Sequence, residues 1–456
     1  MNHYLRSPIS LIERMMSRFR SIEINYDEAK VPVYSLPDPL RLANGSKITK
    51  PAEWNENRRP EILRLFQNHV YGYSPKADEL EEFHQISYEA SVLQDLAVRK
   101  EVTILFEGQA EDFAIHVLLY IPNQAPKPVP AFLGLNFNGN HTIHPESGIS
   151  LHKQWQKLGR NFTPRQILPS EETRGLDRRR WPVEKILKRG YAIATAYYGD
   201  LEPDFPGGWR YGIRSALRVR PEALKSAAEG FQSTVITAAD CRGAPPWASP
   251  NEWGAIGAWA WGISRIMDYL ERDSDILPTK IILLGHSRLG KTALWAGAQD
   301  DRFAIVISNN SGCGGAALSR RCFGETVKLM NLFNPHWFCG NFKNYNDKEG
   351  ELPVDQHMLI GLIAPRPLYV ASASEDRGAD PRGEFLSAWH ADPIYALFGL
   401  TGLGVEQMPG LNEPVGETIG YHIRAGKHEM TDYDWNQFLC FADRHFGSNS
   451  PCHRSG

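Results

Sequence analysis

The chain has 456 residues, 42% of them hydrophobic, and a formal net charge of -3. That is enough apolar material for one large domain or two medium ones, and the near-balanced charge gives a nucleic-acid partner no footing. No run reaches the ~18 apolar residues of a membrane span, and six cysteines in a chain this long are too few for a disulfide scaffold.

Residues 1–20 read as a short amphipathic helix in which Glu13 and Arg14 interrupt the apolar residues, so the core of a signal peptide is not visible. Residues 1–50, with Pro32, Pro37 and Pro39, are expected to form an arm packed on a body spanning 51–447, with 448–456 as a tail. Arg58 to Tyr71 has helical spacing, with Ile62, Leu63, Phe66 and Val70 on one face. Val102–Phe106 and Ala114–Ile121 are rich in β-branched residues and predict strands. Ala131–Phe137 and Tyr191–Tyr197 are near-continuous apolar runs, as in strands buried on both faces. The stretches 138–180 and 198–250 read as long irregular loops of the kind that carries function.

A helix follows from Glu252 to Leu270, its apolar face marked by Trp253, Ile256, Trp259, Ala260, Ile263 and Met267. Then come strand Lys280–Leu284, helix Leu289–Ala298, strand Ala304–Ser308 and strand Pro367–Ser372. A last helix begins near Thr431, with Asp434 in capping-box spacing. Strands alternating with helices predict an α/β fold: a mainly parallel sheet with helices on both faces, in three layers. The twelve Trp and seventeen Tyr are read mainly as core and cleft-wall packing. Cys313 and Cys339 flank one segment, and either pair or remain buried thiols.

The strongest local signal is Gly285-His286-Ser287-Arg288-Leu289-Gly290, between a buried strand and a helix. A strained strand-to-helix turn there would lift the Ser287 hydroxyl clear of the backbone, with free helix N–H groups beside it. The same residues, continued by Lys291 and Thr292, also spell a phosphate-binding loop, G-x-x-x-x-G-K-T. In that competing reading the chain is a nucleotide hydrolase, with Lys291 on phosphate and Thr292 on Mg²⁺. In the serine reading a base must take the hydroxyl proton, and an acid must orient the base. Asp376, at the end of strand Pro367–Ser372, fits the acid, with Glu375 as its neighbouring alternative. Downstream lie His390, His422, His428, His445 and His453. His428, in the loop after the strand-like run Ile419–Arg424, fits the base, whereas His445 is expected to be structural.

The run from Gly285 to Ala298, with Ser308-Asn309-Asn310-Ser311-Gly312-Cys313 after it, resembles the bacterial glucuronoyl esterases of carbohydrate esterase family fifteen. So do Gly134–His141, Arg180–Glu184, Trp253–Trp259, Ile363–Val370 and His422–His428. The resemblance spans most of the chain from about Tyr26. It implies an α/β-hydrolase domain that cleaves esters of 4-O-methyl-glucuronic acid on xylan with lignin alcohols, using neither metal nor organic cofactor. An acetylxylan-like or small aryl ester is the alternative substrate. It also implies Ser287 as nucleophile, His428 as base and Arg288 as oxyanion support, with Lys291 and Glu325 as sugar contacts. Of the two places such enzymes put the triad acid, the one after strand 304–308 holds no carboxylate here, and the other matches Asp376. Gly378 stands where many members carry a Trp against the sugar. A uronic-acid ester is thus the expected partner of a monomer bound to neither nucleic acid nor membrane; family members are exported.

Overall fold

The computed structural model describes residues 23–75, 81–106, 113–158, 163–217 and 249–447. The expected helix within 1–20 and the tail 448–456 lie outside them.

Eleven strands can be followed in chain order: β1 Glu81–Val92, β2 Ala97–Phe106, β3 Ile115–Pro122, β4 Val129–Asn136, β5 Gln154–Leu158, β6 Thr163–Ile167, β7 Ala192–Tyr197, β8 Ile276–His286, β9 Ile305–Asn309, β10 Leu368–Ala373 and β11 Ile419–Arg424. β5 and β6 make a separate hairpin. The other nine form one sheet in the order β1-β2-β3-β7-β4-β8-β9-β10-β11. From β7 to β11 every neighbour is parallel, and from β1 to β7 every neighbour is antiparallel. The mainly parallel sheet expected from the sequence is therefore present, with an antiparallel flank.

Successive side chains of a strand point to opposite faces, and here both faces are apolar. On β4 and β8, Ala131, Leu133, Leu135, Ile281 and Leu283 enter one core, while Phe132, Ile282 and Leu284 enter the other. Helices Ala255–Leu270 and Arg288–Gln299 cover the first face through residues such as Trp259, Ile263, Leu294 and Trp295. Helices Val183–Lys188 and Asp432–Phe446 cover the second through Ile186, Leu187, Trp435 and Phe438. That is the three-layer arrangement, and the α/β-hydrolase fold.

Several local expectations need correction. The helix expected over Arg58–Tyr71 begins at Pro51 and contains two π-helical stretches, Trp54–Arg58 and Gln67–Tyr71; Ile62, Phe66 and Val70 are buried as expected. The stretch 138–180 is not wholly irregular, since it holds β5 and β6. Of the two readings open for Cys313 and Cys339, buried free thiols is the one that holds. Among the described residues, no helix is long and apolar enough to cross a membrane, and no cluster of three or more His, Cys, Asp or Glu is arranged to hold a metal ion.

Candidate active site

Four adjacent parallel strands end at one rim of the sheet, and each delivers a polar side chain there. β8 leads to Ser287, β9 to Asn310, β10 to Asp376, and the loop after β11 to His428. Ligand sites in open parallel sheets lie beyond the strands' carboxyl ends.

Ser287 sits between β8 and its helix with φ 58° and ψ -128°. A non-glycine residue held there costs about 1–3 kcal/mol, which the surrounding structure must offset. Its N–H donates to Asn309 O at 2.9 Å, fixing the turn to the next strand. A Cβ on Gly285 would lie 1.9 Å from the Leu289 carbonyl oxygen, so only glycine allows the helix to start this close to the strand. The elbow expected around Ser287 is thus formed, without a glycine two residues after the serine.

The His428 imidazole lies across Ser287, with Nε2 2.9 Å from the hydroxyl oxygen. Its Nδ1 is 2.6 Å from Asp376 Oδ2, which also accepts from Asn310 Nδ2 at 2.8 Å. Burial raises the Asp376 pKa, but the His428 bond and charge, Asn310 and Lys291 outweigh it and hold the carboxyl below its usual range. An ionised Asp376 takes the Nδ1 proton as a hydrogen bond, which leaves Nε2 free to accept from the Ser287 O–H. Glu375, the alternative acid, is exposed, and its backbone N–H donates to Gly426 O at 2.9 Å. His286 packs against His428 with its ring tilted, centroids 4.7 Å apart. Burial, with His428 beside it, pushes its pKa well down, so it stays neutral.

The other histidines serve elsewhere. His422 is fully buried, bonded to Asp434 at 2.9 Å and Tyr369 at 3.0 Å. His445 lies on the Phe441 ring at 4.4 Å, in keeping with the structural part expected of it. His390 packs beside Trp389, and His453 lies outside the described residues.

Arg288 begins the helix after the elbow. Its Nη1 donates to Asp204 Oδ2 at 2.7 Å, and its guanidinium lies 5.4 Å from the Phe137 ring centroid and 5.2 Å from that of Trp337. Asp204 also accepts from His336 Nε2 at 2.8 Å and Trp337 Nε1 at 2.7 Å. Burial works against that carboxylate, yet Arg288 and His336 hold its pKa far below the usual range. This clamp leaves Arg288 Nε buried and without a hydrogen-bond partner among the described residues. Composition marked the 198–250 stretch as functional, but nothing singled out Asp204, or its partners from the distant segment at 336–337.

Lys291 Nζ donates to the Ser311 carbonyl and, at 2.7 Å, to Cys313 O; it stands 3.8 Å from the Glu325 carboxylate. Burial pushes the Glu325 pKa up, against Lys291. The phosphate-loop reading fails on these contacts. Two of the three Lys291 N–H groups go to carbonyls of the next strand's loop, the Glu325 carboxylate beside the ammonium would repel a phosphate, and the Thr292 hydroxyl donates to Arg288 O at 2.9 Å inside its own helix.

Comparisons with known proteins place the chain in a family. A family model described as glucuronyl esterase of fungi matches residues 247–399. Carbohydrate esterase MZ0003, from an unknown prokaryotic organism, is 47% identical over 422 residues, 92% of each chain. The chain belongs to the glucuronoyl esterases, carbohydrate esterase family 15. The solved glucuronoyl esterase from Solibacter usitatus is 47% identical with a TM-score of 0.82, covering 92% of this chain and all of that one. The family's enzyme from Teredinibacter turnerae is 29% identical with a TM-score of 0.75, covering 93% of both. As a glucuronoyl esterase, the protein is a carboxylic ester hydrolase of the serine type.

Proposed function

We propose that the protein hydrolyses esters of glucuronic acid and its 4-O-methyl ether, passing the uronoyl group through Ser287 to water. The observation that carries this reading is the unbroken chain Ser287–His428–Asp376, at 2.9 and 2.6 Å, with Lys291 and Glu325 beside it. His428 Nε2 takes the serine proton as Oγ attacks the ester carbonyl. Asp376 keeps the ring in the right tautomer and stabilises the imidazolium. The oxyanion develops at the start of helix Arg288–Gln299, where first-turn N–H groups and the Arg288 guanidinium supply preorganised positive charge. His428 returns the proton to the departing alcohol, then activates the water that releases the uronate. Lys291 and Glu325 suit the hydroxyls of an acidic sugar, and the glucuronoyl-esterase names of the relatives support the same substrate class.

The open space beside Gly378 favours a second, broader reading in which acetylated sugars or aryl esters are also accepted. Comparing kcat/KM on benzyl glucuronate with that on an acetylated xylo-oligosaccharide decides between them. The glucuronate ester is expected to be preferred by at least about ten-fold, a difference of ~1.4 kcal/mol in transition-state binding. Preference for the acetyl ester would overturn the first reading.

A further inference from the structure

The N-terminal arm reaches the strip of chain that carries Glu325 and Asp376. Asn25 O accepts from Gly324 N–H at 2.8 Å, and Glu28 pairs with Arg321 at 2.6 Å. Between them, Arg377 donates to the Tyr26 carbonyl and sets its guanidinium 5.0 Å from the Tyr26 ring centroid. Phe323 meets the same ring edge-on, with centroids 6.1 Å apart. The two segments gripping Tyr26 are themselves joined, since Glu325 N–H donates to Gly378 O at 2.9 Å. Beside them there is room, because a Cβ on Gly378 would meet nothing within 4 Å.

Tyr26 is therefore held from several sides and still 39% exposed. One face of the ring carries the Arg377 guanidinium, and anchoring the arm does not need the other, for the main-chain bonds and Glu28 already do so. Burial and the nearby Glu325 charge raise the pKa of its phenol, so the ring is neutral. A rigid neutral aromatic beside a carboxylate suits a sugar. The ring face is electron-rich, the axial C–H bonds of a gluco-configured ring are electron-poor, and little side-chain freedom is lost on contact. We propose that Tyr26, from the N-terminal arm, is a substrate-binding residue whose exposed ring face stacks on the uronate ring of an ester placed at Ser287. This deepens the uronate reading and rests on it.

Kinetics of the full chain on benzyl glucuronate and on p-nitrophenyl acetate, which carries no sugar, test it. Tyr26→Ala is expected to raise KM for the glucuronate about five- to ten-fold with kcat within about two-fold. On the acetate kcat/KM should stay within about two-fold, and Tyr26→Phe should match the unsubstituted protein on both esters. Equal losses on the two esters, or an unchanged glucuronate KM, overturn the proposal. If Tyr26→Ala does not fold, Tyr26→Leu keeps apolar bulk without a π face. It should show the same KM rise, and an unsubstituted-like KM there overturns the proposal. Should the unsubstituted protein cleave the acetate but not the glucuronate, the uronate reading itself fails, and that result needs no variant.

Discussion

Two histidines six residues apart in sequence, His422 and His428, each pair with a carboxylate, and the two pairs have opposite fates. His428 and Asp376 meet at 2.6 Å at the sheet rim, and the second ring nitrogen faces Ser287. His422 and Asp434 meet at 2.9 Å inside the core. There Tyr369 takes the second nitrogen, and Arg424 and Thr431 close the carboxylate. The pair itself is common to both. What separates the proposed base from a structural strut is the third partner: a partly buried hydroxyl on a strained turn in one case, a buried phenol in the other.

Exchanging variants between the pairs gives the sharpest contrast. His428→Ala is expected to lower kcat about 10,000-fold or more, with the melting temperature little changed. His422→Ala should do the reverse, destabilising by roughly 3–5 kcal/mol because it strips the buried Asp434 of a partner, with kcat largely kept in the folded fraction. Equal catalytic losses would erase the distinction. Next in size, Asp376→Asn should cost about 10,000-fold or somewhat less in kcat, since the wrong His428 tautomer is then favoured. If Glu375→Gln proves as damaging, the acid is misassigned. A smaller effect, about ten-fold in kcat, is expected for Asn310→Ala, which removes one donor to the Asp376 carboxylate.

The smallest effect concerns acid stability. Burial raises the Asp434 pKa, but His422 and Arg424 outweigh it and hold the carboxyl below its ordinary value. A depressed folded pKa contributes stability that is fully present above the unfolded value, about 3.9, and is lost as pH falls through the folded one. Acid unfolding curves of Asp434→Asn should therefore be flatter below about pH 4 than those of the unsubstituted protein; an unchanged acid limb would show that the core pair is not held ionised.

The fold is legible in the sequence where one physical pattern dominates. β4, β7, β8, β9 and β10 announce themselves because strands buried on both faces must be apolar throughout, and the candidates Ser287, Asp376 and His428 could be sought together because such strands end at one rim. β1 was missed because it is an edge strand with a wet face, where Ile86 and Tyr88 are exposed among charged residues. Half of β2 was missed because Arg99, Lys100 and Glu101 are buried as charges, with Lys100 paired to Asp273 at 2.8 Å. His422 was read correctly as part of a strand, and Asp434 as a helix cap, yet no local pattern says that they meet. The Asp204 clamp on Arg288 and the seat of Tyr26 on Arg377 and Phe323 are hidden for the same reason, since each joins segments more than eighty residues apart.

In the proposed mechanism the hydroxyl at the strained turn is the nucleophile, activated from across the sheet rim. Labelling with an organophosphonate, read by intact mass and peptide mapping, tests it most directly. One phosphonyl group per chain is expected, on Ser287, lost in Ser287→Ala and strongly slowed in His428→Ala. A label on another residue, or undiminished ester turnover by Ser287→Ala, would contradict the account.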